Sequence, residues 1–204
     1  MGLHEGAIVI NFSAACERNQ DAILQQLAIY LATATSVLEL GAGTGQHAVH
    51  FARGLGYLQW QPSERLALLP SLQARLTRDA TPNLKAAIPL DVTDDRWPAG
   101  LYDAVFTANT LHIMSWSAVT QTFTGVARLL RVNNVFCCYG PFRRHGLTAP
   151  SNESFDRDLR YADPESGLRD IDDLESLARD VGLELSVDIL LPANNQLLVW
   201  RRTG

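Results

Sequence analysis

The sequence predicts an α/β layer fold: a mostly parallel sheet of seven strands with helices on both faces and an antiparallel strand at its end. Three observations predict it. Helical and strand-like segments alternate from Gln20 to Tyr139, the pattern of crossover helices between parallel strands. A glycine-rich run, Gly41-Ala42-Gly43-Thr44-Gly45, stands where the first strand meets the next helix. Near the end, two apolar runs are joined only by Pro192-Ala193-Asn194-Asn195. A parallel crossover needs a dozen or more residues, so these two strands must be antiparallel.

Taken in order, Gln20 to Ala32 places Ile23, Leu24, Leu27, Ala28 and Leu31 at helical spacing, which gives a helix with one apolar face. Val37 to Leu40 is the first strand. Gln46 to Leu55 is the next helix, closed by Gly54 and Gly56. Leu58 to Gln61 is the second strand. Ser63 is then expected to cap a helix reaching about Arg78, kinked or broken at Pro70. Ala86 to Leu90 and Ala104 to Thr107 are strands three and four, and Trp116 to Leu130 is a helix. Asn133-Asn134 is expected to turn into a fifth strand, Val135 to Tyr139. Gly140-Pro141 breaks that strand. The segment 141–170 shows no core pattern and is expected to be a long lid or substrate loop. Asp170 caps a helix to Val181, and Leu183–Leu191 with Gln196–Arg201 forms the terminal hairpin.

Composition narrows the function classes. The chain has 204 residues, 47% hydrophobic and 19% charged, which fits one globular domain over 1–204. The net charge of −5 lacks the broad positive field of a non-specific nucleic-acid binder, so nucleic acid is not the expected partner. No stretch reaches the roughly 18–20 apolar residues of a membrane span. The opening MGLHEGAIVINF has no basic region followed by a long apolar run, so no signal peptide is expected, and Gly6 stands where myristoylation calls for Ser or Thr. Cys16 and the adjacent Cys137 and Cys138 offer neither a disulfide framework nor metal spacing. They read as buried, reduced thiols of a cytoplasmic protein without a metal site.

The chemistry concentrates at strand ends. Glycines in a strand-to-helix turn let the backbone approach a ligand, with helix N-terminal amides facing it. The dinucleotide pattern G-x-G-x-x-G requires glycine at position 46, which is Gln46. The observed Glu39-Leu40-Gly41-Ala42-Gly43-Thr44-Gly45 instead resembles the first motif of class I S-adenosylmethionine-dependent methyltransferases, a Rossmann-like fold whose sheet also ends in an inserted antiparallel strand. That resemblance implies that Gly41, Ala42 and Gly43 pass beneath the methionine portion of S-adenosylmethionine and that Glu39 helps position its ammonium group.

A partner for the ribose hydroxyls is expected about 20 residues on. Counting puts Gln61 there, whereas chemistry favours Glu64, since a carboxylate accepts from two vicinal hydroxyls. Asp91 and Val92, after strand three, fall where this fold contacts the adenine amino group; Asp91 reads equally well as a turn residue. The resemblance implies that Asn109, at the end of strand four, borders the methionine end and faces the acceptor. His112 either orients or deprotonates the acceptor, given an ordinary pKa near 6.5, or is a satisfied polar residue beneath a loop. Tyr139, with Phe142 beyond it, is expected to line the acceptor pocket at the carboxyl edge of the sheet. Glu17-Arg18-Asn19 is expected to precede the first helix, with Arg18 either pairing with the cofactor carboxylate or lying on the surface. Arg143-Arg144-His145 offers charges to an anionic substrate or to solvent. His47 and His50 are three residues apart without a third ligand in the nearby sequence, so they are read as structural or cofactor-adjacent.

A narrower resemblance rests on Ala14-Ala15-Cys16-Glu17-Arg18-Asn19, Trp60-Gln61-Pro62-Ser63-Glu64, Tyr139-Gly140-Pro141-Phe142, Ser151-Asn152 with Phe155-Asp156, Gly167-Leu168-Arg169-Asp170 and Pro192-Ala193-Asn194-Asn195. In order, and over nearly the whole chain, these are similar to the methyltransferase-like 26 family of presumed class I methyltransferases. Glu64 stands where that family has an acidic residue, which implies Glu64 rather than Gln61 at the ribose. The expected activity is methyl transfer from S-adenosylmethionine to a small molecule. Two alternatives stand beside it: a non-catalytic S-adenosylmethionine-binding regulator, and a methyltransferase acting on protein or RNA. A nucleotide-dependent oxidoreductase disagrees with both the glycine spacing and the terminal hairpin.

Overall fold

The structure, a computed structural model, describes residues 12–204; the expectations about the first eleven residues lie outside it. Ser13 caps helix α1 (Ala14–Tyr30), its hydroxyl accepting from the Cys16 amide. The helix therefore starts six residues before the expected Gln20, and Glu17-Arg18-Asn19 lies inside it rather than ahead of it. Strand β1 (Ser36–Leu40) runs through the glycine turn into α2 (Gln46–Gly54).

Strand β2 (Gln59–Glu64) extends three residues past Gln61, because Ser63 and Glu64 pair in parallel with Ile88 and Pro89 of β3 (Ile88–Pro89). Ser63 is thus not a helix cap; its hydroxyl donates to the Glu39 carbonyl at 2.7 Å. The helix after it, α3 (Leu69–Arg78), carries Pro70 in its first turn, where a missing amide hydrogen leaves no bond unmade. Pro70 opens the helix instead of breaking it. β3 is shorter than expected, since the Ala87 amide donates to the Gln73 side chain rather than to a strand.

Strand β4 (Tyr102–Ala108), a short 3-10 turn (Leu111–Ile113) and α4 (Trp116–Leu129) follow. β5 (Leu130–Gly140) starts directly from α4, so Asn133-Asn134 lies within the strand and is not a turn before it. Asn133 takes a left-handed φ of +73° beside a register shift against β4, a bulge that an Asn side chain tolerates. The segment expected to be a loop contains β6 (Phe142–Arg143), a 13-residue helix α5 (Pro150–Ala162) and β7 (Arg169–Asp170), which pairs in parallel with β6. Asp170 caps α6 (Ile171–Asp180), and β8 (Leu183–Leu191) and β9 (Asn195–Arg202) form the terminal hairpin.

The sheet order is β3-β2-β1-β4-β5-β9-β8, with β9 antiparallel to both neighbours and the other pairings parallel. This is the Rossmann-like methyltransferase fold the sequence predicts. Period-two alternation sorts the side chains onto two faces. Val37, Trp60, Phe106 and Val199 pack with α1, α2 and α3, whereas Leu38, Val105, Phe136 and Trp200 pack with α4 and α6. Adjacent Cys137 and Cys138 accordingly enter opposite cores, and burial pushes both thiols up, Cys137 to about 12. Cys16 differs from the expectation: it is only half-buried. The strand order switches sides between β1 and β4, which run parallel, so the loops leaving their carboxyl ends diverge and open a crevice.

Candidate functional site

That crevice is a cavity of about 1190 Å³. Its wall brings together eleven of the residues singled out from the sequence: Arg18, Glu39, Gly41, Ala42, Gly43, Glu64, Asp91, Val92, Asn109, His112 and Tyr139.

The turn after β1 forms the floor. Gly41 and Gly43 both take left-handed φ values, +65° and +54°, which cost an L side chain about 1–2 kcal/mol. A Cβ on Gly41 would strike the Thr110 methyl at 2.8 Å, but one on Gly43 would meet nothing nearer than the Gly41 carbonyl at 4.0 Å. Gly43 is therefore bare toward the cavity and not because the protein crowds it. Gly43→Val is expected to fold, with a stability loss of about 1–2 kcal/mol, and to lose binding of any ligand lying across the turn. Retained affinity in calorimetry would show that the turn does not face the ligand.

Glu64, buried at the end of β2, fastens this turn. Its Oε2 accepts from the Gly43 amide and its Oε1 from the Arg65 amide, each at 2.8 Å. A carboxylate offers about four lone-pair positions, so both oxygens keep capacity for further donors. Gln61 is absent from the wall, its amide donating to the Pro62 and Ala86 carbonyls. The extension of β2 separates the two candidates: Glu64 faces the cavity and Gln61 does not.

Glu39 lies deeper. Its Oε2 accepts from Trp60 Nε1 at 2.7 Å, and desolvation, opposed by that bond and reinforced by Glu64, raises its carboxyl to about 7. Gln46, the residue that replaces the third dinucleotide glycine, clips α1 over the turn: its Oε1 accepts from the Ser13 amide and its Nε2 donates to the Ser13 carbonyl. This brings Arg18 to the cavity wall, with no ion pair among the described residues. His47 also reaches the wall, 2.7 Å from Asn19 Oδ1; burial lowers it to about 4, so it is neutral. His50 lies apart, paired with Asp21 at 3.0 Å.

Across the cavity, Asp91 Oδ1 accepts from the Thr93 amide and hydroxyl, and those bonds hold its carboxyl below the usual range. It is both a turn residue and part of the wall. Asn109 leaves β4 with a φ of +57° and donates its amide to the Tyr139 carbonyl at 2.8 Å. Such a conformation in a non-glycine residue clusters at functional sites. Tyr139 is buried near Asn19 and Asn195, and desolvation raises its pKa.

His112 follows in the 3-10 turn. It is buried, its ring edge-on to Phe155 at a centroid distance of 5.4 Å. Desolvation, aided by the Arg169 charge, lowers it to about 4, and neither ring nitrogen has a hydrogen-bond partner among the described residues. Arg169 secures this turn by donating to the carbonyls of Leu111, Met114 and Glu165.

Arg143-Arg144-His145 does not greet a ligand. Arg143 pairs bidentately with Glu153 at 2.7 Å and with Asp156 at 3.0 Å; Arg144 pairs with Asp172, Glu175 and Asp188, and His145 with Asp172. Phe142 is buried in the core that carries α4 and α6 and is not part of the wall. Sequence reasoning missed the roles of Gln46, Asn195 and Arg169, whose partners are distant in sequence; Gln46 was flagged only as a departure from the glycine pattern.

The fold matches solved methyltransferases. An O-methyltransferase family protein from Burkholderia thailandensis is 16% identical, with a TM-score of 0.81 over 93% of this chain and 57% of its own. The mitomycin 7-O-methyltransferase MmcR is 17% identical, with a TM-score of 0.79 over 93% and 56%. Human N-acetylserotonin methyltransferase, solved with S-adenosylmethionine, is 12% identical, with a TM-score of 0.80 over 93% and 53%. The chain spans little more than half the length of these proteins. The profile of DUF938, described as a protein of unknown function, matches residues 10–202, and the chain belongs to that family.

Proposed function

We propose that this chain binds S-adenosylmethionine across the bare turn after β1 and transfers its methyl group to a small molecule. The observation that carries this reading is the union of Gly43 and Glu64: an open left-handed glycine whose amide is held by a carboxylate with acceptor capacity left over. The residues suit the group one by one. Glu64 accepts from the ribose hydroxyls, Asp91 and Val92 meet the adenine, and Gly41, Ala42 and Gly43 underlie the methionine portion. Glu39 attracts the ammonium, Arg18 the carboxylate, and Asn109 faces the methyl end. The motifs resembling the methyltransferase-like 26 family support the same reading.

When bound, the cofactor supplies the electrophilic methyl on sulfonium sulfur, so the protein has mainly to align a nucleophile and exclude water. His112, neutral at physiological pH, holds an acceptor hydroxyl by accepting its hydrogen bond at a ring nitrogen. Tyr139, kept protonated by burial, forms a wall of the acceptor end. Helix α5 and the Pro192–Asn195 loop flank that end with Asn152, Phe155, Pro192, Ala193 and Asn195, an arrangement that suits a small acceptor.

The test follows label from methyl-tritiated S-adenosylmethionine into a fractionated cell extract. Label is expected in the small-molecule filtrate, and His112→Gln is expected to slow its transfer by about 10²–10⁴-fold. Label confined to protein or RNA would favour the macromolecular alternative. Cofactor binding without transfer to any fraction would favour the regulator.

A further inference from the structure

We infer that the acceptor is an uncharged, planar aromatic molecule presenting two hydrogen-bond donors along one edge, one to His112 and the other to Asn152. This rests on the methyltransferase reading and adds a substrate class to it. The cavity, about 1190 Å³, exceeds the roughly 300–1,000 Å³ of a single drug-sized ligand site, so a second molecule fits beside the cofactor.

Away from the glycine turn, apolar surface dominates the wall: Ile113, Met114, Pro141, Phe155 and Pro192. Asn152 and Phe155 are three residues apart on α5 and share a face, and Phe155 touches the His112 ring. Phe155 thus adjoins the His112 ring and lies on the same helix face and cavity wall as Asn152.

The polar groups are neutral and selective. Asn152 is buried, and its Nδ2 donates to the Thr148 hydroxyl at 3.2 Å and the Asn194 carbonyl at 2.9 Å. A carbonyl only accepts, so the amide orientation is fixed. Both N–H groups are thereby used, and Oδ1 has no partner among the described residues. This position asks for a donor and rejects an acceptor. His112, as a neutral imidazole, can accept from the hydroxyl to be methylated at its unprotonated ring nitrogen.

The arginines nearest this end already have hydrogen-bond partners. Arg143 and Arg160 are tied to Asp156, and Arg169 to backbone carbonyls. Glu165 at the rim is exposed, where solvent screens it. An ionised group entering among these apolar walls would lose much of its hydration.

The experiment titrates the chain, loaded with S-adenosylhomocysteine, with catechol, resorcinol, phenol, 2-methoxyphenol, benzoate and benzylamine. The better of the two dihydroxybenzenes is expected to bind about tenfold more tightly than phenol or 2-methoxyphenol, the loss of one hydrogen bond, with benzoate and benzylamine weaker still. In Asn152→Leu that preference is expected to vanish while S-adenosylhomocysteine affinity is unchanged, which also reports a folded cofactor site. The inference is overturned if benzoate or benzylamine binds as tightly as the dihydroxybenzenes, if 2-methoxyphenol equals them, or if no probe binds the loaded chain. Failure to bind S-adenosylhomocysteine at all would count against the methyltransferase reading instead. The wild-type ranking stands as a test even if the leucine variant does not fold.

Discussion

Glu64→Ala is expected to weaken S-adenosylhomocysteine binding by at least about a hundredfold, the loss of two hydrogen bonds to a charged group at about 1.5–3 kcal/mol each. The substitution acts twice. It removes the acceptor proposed for both ribose hydroxyls, and it releases the Gly43 and Arg65 amides now held at 2.8 Å. The released turn loses the alignment that puts Gly43 beneath the ligand. Glu64→Gln retains one acceptor oxygen and is expected to fall between the two. Gln61→Ala, which removes a side chain bonded only to the Pro62 and Ala86 carbonyls, is expected to leave affinity within about twofold, the span of roughly ±0.5 kcal/mol for surface changes. Calorimetry in which Gln61→Ala is the more damaging would show that the ribose contact follows sequence count and not the carboxylate.

Glu39→Gln is expected to move stability and affinity in opposite directions. The buried carboxyl releases its proton near pH 7 instead of 4.5. Between those values the folded chain binds more protons than the unfolded one, so stability falls as pH rises and remains low above 7. A shift of that size corresponds to about 2–4 kcal/mol. Glutamine at position 39 can still accept from Trp60 Nε1 and has no charge to desolvate. The variant is therefore expected to melt well above the natural chain at pH 8 and level with it at pH 4. Affinity runs the other way, because a ligand ammonium pairs only with the ionised form. The natural chain is expected to bind S-adenosylmethionine up to tenfold more weakly for each pH unit below 7. The variant is expected to bind weakly at pH 8, with no inflection there. Parallel pH curves for the two proteins would remove Glu39 from the site.

What the sequence disclosed, and what it hid, divides along physical lines. Strong hydrophobic periodicity and the Pro192–Asn195 loop revealed the parallel sheet and its terminal hairpin, since both are local signals. Helix α5 escaped because the residues it buries are Asn152 and Asp156. Asp156 accepts from the Leu168 amide and from Arg143 and Arg160, so its inward face is polar and leaves no apolar stripe. The end of β2 was misplaced because Pro62 reads as a turn, yet in a parallel pair with Glu39 it extends the strand and carries Glu64 to the cavity. The ion pairs of Arg143 and Arg144, side chains expected to face either an anionic substrate or solvent, rest on partners as far away as Asp188, which no local pattern displays. The glycine turn was legible, but the Gln46 clip that draws α1 across it required the fold.

Direct titration with S-adenosylhomocysteine, with NAD and ATP as controls, weighs the whole account. At one hundred times its dissociation constant, S-adenosylhomocysteine is predicted to stabilise the chain by about 2.7 kcal/mol and to release calorimetric heat that Gly43→Val abolishes, while NAD and ATP do neither. Stabilisation by NAD, or none by S-adenosylhomocysteine at millimolar concentration, would contradict it.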